Sequence, residues 1–365
     1  MQNIIQPTLL VDKRKAIANI RTMTAKALAA KVRFRPHFKT HQSAEIGNWF
    51  RDEGTREITV SSLDMALYFA DHGWDDITVA IPVNILEIEK INALAARIRL
   101  NLVVEASGPV LFLHEHLKHR VGMWIKVNTG YNRAGIDASD HPGILRLCQE
   151  IAMCPVMEIQ GLMAHAGHTY QLRHEEAIQR VFDETLQILH TVRLFLAEQG
   201  FHGLHISVGD TPGCSVAKDW SGAEEVRPGN FVFYDVMQMV IGSCSAQDVA
   251  VAMACPVIAC YPERGEVLIY GGGVHFSKEM IQWHGEPCYG LVTDLVDGCW
   301  GQVQRDEYIS GLSQEHGKVK ISGARMKRIK PGDLMFFLPV HSCMTADLMR
   351  SYTDMHGHVI EGASY

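Results

Sequence analysis

Six short segments carry side chains whose types and spacing can do chemistry. In RPHFKTH (residues 35–41) Lys39 ends an apolar run, in the company of Arg35, His37 and His41. A lysine amine forms Schiff bases with carbonyl groups, and burial or neighbouring cations free it by lowering its pKa. Arg35, His37 and His41 are the expected source of that field. In IKVNTGYNRAG (125–135) Lys126 and Arg133 flank a glycine-containing turn and would aim two cations at one anion. Alone, each lysine is an ordinary solvated side chain; the companions give it meaning.

SVGDTPGCS (207–215) and EVRPGNFVFYD (225–235) read as strand ends that turn on glycine. Such turns expose backbone N–H groups that can cradle a phosphate. HAGHTY (165–170) brings His165, His168 and Tyr170 to another strand end. In an extended loop His168 and Tyr170 share a face, suited to a general base or to stacking on a ring. PVHSCMTAD (339–347) contains His341-x-Cys343. In an extended segment imidazole and thiolate project to the same side and can share one metal, with softness that suits zinc. Asp347 is a conceivable third ligand four residues on.

Apolar runs at PTLLV (7–11), VRFRPHF (32–38), EITVSS (57–62), ITVAI (77–81), IRLNLVV (98–104), MWIKVN (123–128), EIQGLMAH (158–165) and HISVG (205–209) alternate with helical stretches. In one of these Ile17, Ile20, Met23 and Ala27 recur at helical spacing; in another Ile178, Val181, Phe182, Leu189 and Val192 do. Asp64 begins a short helix that Gly73 can end. Eight or so β-α units in this span predict an α/β fold, a (β/α)8 TIM barrel, whose active-site mouth lies at the C-terminal strand ends. No G-x-G-x-x-G follows any strand, which argues against an open dinucleotide-binding sheet. Beyond about residue 240 the runs shorten between Gly, Pro and charged turns, as in an antiparallel β domain. The expected division is a barrel over 7–240 and a β domain over 241–365 joined by residues 1–6. RPHFKTH then closes the second barrel strand.

The net charge of −7, from 34 basic and 41 acidic residues, disfavours a nucleic-acid partner. No run of about 18 apolar residues exists, so no membrane partner is expected. The N-terminal segment lacks a basic stretch followed by an apolar core, and nine scattered cysteines form no C-x-x-C pair. Both point to a cytoplasmic protein with reduced thiols.

Taken together, PTLLVD, RPHFKTH, IKVNTGYNRAG, HAGHTY, GDTPG, EVRPGN, SQEHG (313–317) and PVHSC resemble the D-threonine aldolase and D-serine dehydratase group of fold-type III pyridoxal-phosphate enzymes, which is similar to alanine racemase. The resemblance implies an alanine-racemase-like barrel, a C-terminal β domain and a homodimer. It implies that Lys39 carries pyridoxal 5′-phosphate and that His341 and Cys343 hold a divalent metal, zinc or manganese. Lys126 and Arg133 match the racemase's lysine and arginine. Arg227 matches the arginine that meets the pyridine nitrogen, and Gly229 with Asn230 would give backbone groups to the phosphate. Thr211 and Tyr170 complete the expected cofactor contacts.

The substrate so implied is a D-amino acid. In a dehydratase Lys39 removes the α-proton and the metal assists loss of the β-hydroxyl, giving a 2-keto acid and ammonia from D-serine or 3-hydroxyaspartate. In an aldolase a base such as His168 deprotonates that hydroxyl, giving glycine and an aldehyde. Members with His-x-Cys are dehydratases, whereas the aldolases pair histidine with aspartate, so Cys343 favours dehydration. A racemase needs a second base that no residue declares, and a cofactor carrier lacks the β domain and metal pair.

Overall fold

The computed structural model describes residues 4–296 and 298–364. Two compact units are present: one holds Thr22–Lys39 and Phe50–Gly229, the other the chain up to Arg21, Thr40–Trp49 and Asn230–Ser364.

The first unit is built on eight parallel strands: Arg33–Phe34, Ile58–Val60, Asp76–Pro82, Arg99–Val104, Val121–Asn128, Met157–Met163, His205–Val208 and Glu225–Val226. From Ile58–Val60 onward each pairs with the next, and the last pairs back with Arg33–Phe34. A bridge between His37 and Thr59 joins the remaining neighbours and closes the ring. Strands covered by helices outside and packed side chains inside read as near-continuous apolar runs. Seven of the eight residues in Val121–Asn128 are accordingly buried. Val103, Trp124 and Met163 fill part of the core. The helices follow their expected signals. Ser62 caps Leu63–Asp71 by accepting a hydrogen bond from Met65 N, and Glu175–Glu198 buries Ile178, Phe182, Leu189 and Val192.

One glycine is indispensable to this ring. At Gly161 the ladder shifts register by one residue against Met123 and Trp124. Its φ is +149°, and a Cβ there would meet His205 O at 2.0 Å. Only glycine lets the bulged strand approach its neighbour so closely.

The other unit holds six strands that form a closed antiparallel ring: Val251–Tyr261, Glu266–Tyr270, His316–Lys320, Val303–Leu312, Gly290–Thr293 and Leu334–Pro339. Thr8–Val11 extends this sheet, antiparallel to Val251–Tyr261 and parallel to Ser351–Asp354. The run PTLLV, expected as the first barrel strand, therefore belongs to the β sheet. Three buried apolar residues in a row satisfy either sheet equally well, and the partners that decide lie some 240 residues away. RPHFKTH consequently follows the first barrel strand, not the second. Of the N-terminal residues assigned to the β domain, residues 1–3 lie outside the described ones.

Immediately before Lys39, the Phe38 ring is fully buried against Phe50, Phe69 and Trp74, with centroids 4.9 to 5.0 Å apart. Phe38→Ala should cost about 3–5 kcal/mol of stability, read from chemical denaturation. A loss below about 1 kcal/mol would show that this cluster does not anchor the segment.

Candidate active site

The C-terminal strand ends of the parallel ring carry a cluster of cations around two imidazoles. Lys39 lies in the short helical turn Phe38–Thr40 just past the first barrel strand, and its side chain is exposed. Its backbone N–H donates to His37 Nδ1 at 3.3 Å, leaving the His37 proton on Nε2. His165, at the end of Met157–Met163, has the opposite tautomer: Nδ1–H donates to Gly209 O at 2.8 Å and Nε2 keeps its lone pair. Burial holds both rings well below the ordinary histidine value. The charges of Lys39 and Arg133 act on both, joined by Arg227 at His37 and by Lys126 at His165. Both imidazoles are thus neutral at physiological pH.

Lys126 is buried and its pKa is pushed down to about 7, first by burial and then by Arg227 and Arg133, with Glu105 opposing. The loop that follows is shaped by Asn128, whose Oδ1 accepts from Gly130 N and Asn132 N. Gly135 N donates to Glu105 Oε2 at 2.6 Å, fixing the far end of the loop. Arg133 is exposed and lies over the Tyr131 ring at 5.3 Å.

Arg227 follows the eighth strand and is buried, its guanidinium donating to Ser207 Oγ (2.7 Å), Ala164 O (2.6 Å) and Ser207 O (3.2 Å). Gly209, with φ +153°, permits this approach, since a Cβ there would meet Arg227 N at 2.5 Å. After the seventh strand Asp210 caps the short helix Thr211–Val216 by accepting from Gly213 N. Burial pushes the Asp210 carboxyl up to about 6, against the hydrogen bonds from Gly213 N and the Thr169 hydroxyl and the charge of Arg227. Among the described residues Thr211 Oγ1 is buried without a hydrogen-bond partner. A phosphate oxygen is one group that would satisfy such a hydroxyl.

Some expectations of local geometry are corrected. Arg35 does not lend its charge to Lys39: it donates to Glu225 Oε2 at 2.7 Å and Asp76 Oδ1 at 2.5 Å within the ring. HAGHTY is not extended. Gly167–Gln171 is a 3-10 turn, in which residues two apart diverge, so His168 and Tyr170 do not share a face. Steric room decides this, because Gly167 packs against the Tyr131 ring, where a Cβ would sit at 2.4 Å. His168 is half-buried, burial lowers its pKa, and its Nδ1 has no hydrogen-bond partner among the described residues. PVHSC is not extended either. His341 is the N-cap of the helix Ser342–Met349, and Cys343 lies in its first turn.

Even so, that turn brings the two side chains together in the β-sheet unit. Burial disfavours the charged ring of His341, yet its hydrogen bond with Cys343 and nearby Asp235 and Glu279 push it up to about 9. His341 Nδ1 is buried and has no hydrogen-bond partner among the described residues. Cys343 Sγ lies 3.3 Å from Thr40 Oγ1 and 3.4 Å from Asn230 Nδ2. Asp235 Oδ2 accepts from Asn230 Nδ2 and Ser342 N, tying this turn in place. A paired imidazole and cysteine sulfur with an orphaned ring nitrogen fit a divalent metal. Among the described residues no further His, Cys, Asp or Glu completes a group of three. Asp347 accepts from Gln42 Nε2 instead. Thr40, Ser207, Asp235 and Glu225 escaped the sequence reading, because only pairing across distant segments gives them their contacts.

The parallel ring with a cation-lined mouth defines a class, and the comparisons agree on it. The profile of the alanine racemase N-terminal domain matches residues 11–236, and that of the serine dehydratase domain matches residues 250–354. The chain belongs to the alanine racemase N-terminal domain family, and with it to the fold-type III pyridoxal-phosphate enzymes. A D-serine dehydratase of Dictyostelium discoideum is 27% identical over 96% of this chain and 93% of its own length. The D-threo-3-hydroxyaspartate dehydratase from Delftia sp. HT23 superposes with a TM-score of 0.91, 26% identity and coverage of 98% of this chain and 97% of that one. A single-residue mutant of that enzyme, solved in a metal-free form, gives 0.90 at 27% identity with the same coverage. A D-threonine aldolase of Arthrobacter sp is 25% identical over 63% of this chain and 61% of its own. No helix among the described residues is long and apolar enough to cross a membrane.

The lowered pKa of Lys126 sets a pH dependence in the cofactor-free protein. Between pH 7 and 10.5 the unfolded chain binds a proton at this lysine that the folded chain does not, so folding stability rises with pH across that window. Lys126→Met should flatten that rise in denaturation midpoints taken from pH 7 to 10; an unchanged slope would show that Lys126 is not held deprotonated.

Proposed function

We propose that the chain is a pyridoxal-phosphate lyase that dehydrates D-3-hydroxy amino acids, D-serine or D-threo-3-hydroxyaspartate, to a 2-keto acid and ammonia. The observation that carries this reading is the convergence of Lys39, Lys126, Arg133 and Arg227 on two neutral imidazoles, with the orphaned Thr211 hydroxyl beside Arg227's partner loop. That set matches a ring bearing a phenolate and a phosphate. The near full-length sequence match to dehydratases at 27% and 29% identity supports dehydration over aldol cleavage.

Lys39 would attach the cofactor covalently, with Thr211 and the backbone at Gly229 and Asn230 toward the phosphate. Lys126 and Arg133 would favour the ionised ring oxygen, and Arg227 would keep a positive charge at the ring nitrogen. Tyr170 keeps only the expected role of a ring contact. When bound, the cofactor supplies a conjugated system that takes up the charge left at the substrate's α-carbon. The exposed Lys39 amine would accept the substrate's α-proton. His341 and Cys343 would hold a divalent metal, zinc before manganese, which as a Lewis acid eases loss of the β-hydroxyl. The hydrogen bonds from Thr40 and Asn230 would hold the sulfur as thiolate. The released enamine takes up water, so carbon, nitrogen and oxygen balance as keto acid and ammonia. A cytoplasmic homodimer completes the proposal. Support for the compartment comes from nine cysteines free of disulfides, and for the dimer from the family resemblance.

Purified protein should show the visible band of bound pyridoxal phosphate, and Lys39→Ala should abolish it; a band that persists contradicts the assignment. D-serine and D-threo-3-hydroxyaspartate should yield keto acid. Glycine appearing instead would assign the aldolase reaction, with His168, whose Nδ1 is unpartnered, the base to test by His168→Ala. Zinc should co-purify and be lost in His341→Ala, with activity falling at least tenfold; full activity after exhaustive chelation would remove the metal from the account.

A further inference from the structure

Glu225 is a fully buried acid that the functions assigned so far leave unused. It sits in the last barrel strand, two residues before Arg227, with both oxygens engaged. Oε2 accepts from Arg35 Nε at 2.7 Å, and Oε1 accepts from Ser207 Oγ at 2.7 Å. Ser207 Oγ in turn accepts from Arg227 Nε at 2.7 Å. The direction of each hydrogen bond is forced. Both guanidinium groups can only donate, and Ser207 has a single proton, which must point at Glu225 if its lone pair receives Arg227. Both carboxylate oxygens therefore act as acceptors, which requires the ionised acid. Although burial works the other way, Arg35 and Ser207 hold Glu225 below the usual glutamate value. Asp76 balances the second charge of the chain by accepting from Arg35 NH1.

We infer that Glu225 is a positioning residue: through Ser207 it fixes the plane and preserves the charge of the Arg227 guanidinium at the cofactor ring. Four hydrogen bonds therefore lead from Asp76 to Arg227, through Arg35, Glu225 and Ser207, all within the parallel ring. Burial pushes the Arg227 pKa down to about 10, and Glu225 is the largest influence that resists it. The carboxylate thus acts on the ring without touching it. The inference rests on Arg227 facing that ring.

The test uses the holoenzyme. Ser207→Ala cuts the relay while leaving the Arg35–Glu225 pair intact, and so should fold even if Glu225→Gln, which strands Arg35, does not. Both variants should shift the cofactor's absorption in the same direction as Arg227→Lys. In Ser207→Ala kcat should fall by roughly tenfold, the scale of one lost charged hydrogen bond, with KM within about twofold. A Ser207→Ala enzyme with wild-type spectrum and kcat, while Arg227→Lys alters both, would overturn the inference. If Arg227→Lys itself leaves the spectrum unchanged, the placement of Arg227 at the ring is wrong and the inference falls with it.

Discussion

Concentrated positive charge at the end of a parallel barrel is the constraint on which the site depends. Lys126 and Arg227 are buried, and Lys39 and Arg133 act electrostatically on the same two imidazoles. Burying like charges together is costly unless an anion answers them. The protein meets part of this cost internally: Glu225 and Asp76 answer Arg35, and Glu105 faces Lys126. Histidines kept neutral add no further charge. The remaining excess is suited to an anionic ligand such as a phosphate.

The chain crosses between its two units at two peptide bonds. One unit ends at Lys39 and the other resumes at Thr40, whose hydroxyl meets Cys343; likewise Gly229 gives way to Asn230, whose amide meets Cys343 and Asp235.

Much of this was legible in the sequence, for physical reasons that also mark its limits. Strand-end lysines and glycine turns announce themselves because barrel chemistry lies at C-terminal strand ends. Lys39, Lys126 and Arg133 therefore emerged from position and type, and Arg227 from the family resemblance. Thr8–Val11 was misplaced because an apolar run encodes burial but not its hydrogen-bonding partner. The segments HAGHTY and PVHSC looked extended because neither has the length for a periodic signal. His341 nevertheless reaches Cys343, since a helix N-cap and the first turn place residues two apart within contact. Glu225 and Ser207 were invisible: their significance lies wholly in a relay joining the first, seventh and eighth barrel strands.

The central claim is that Lys39, and not the buried Lys126 with its lowered pKa, carries the cofactor. Borohydride reduction of the holoenzyme followed by peptide mass mapping tests it directly. The account predicts a single phosphopyridoxyl group, on Lys39 within the peptide containing RPHFKTH. The same label on Lys126, or no label in an enzyme that retains activity, would contradict it.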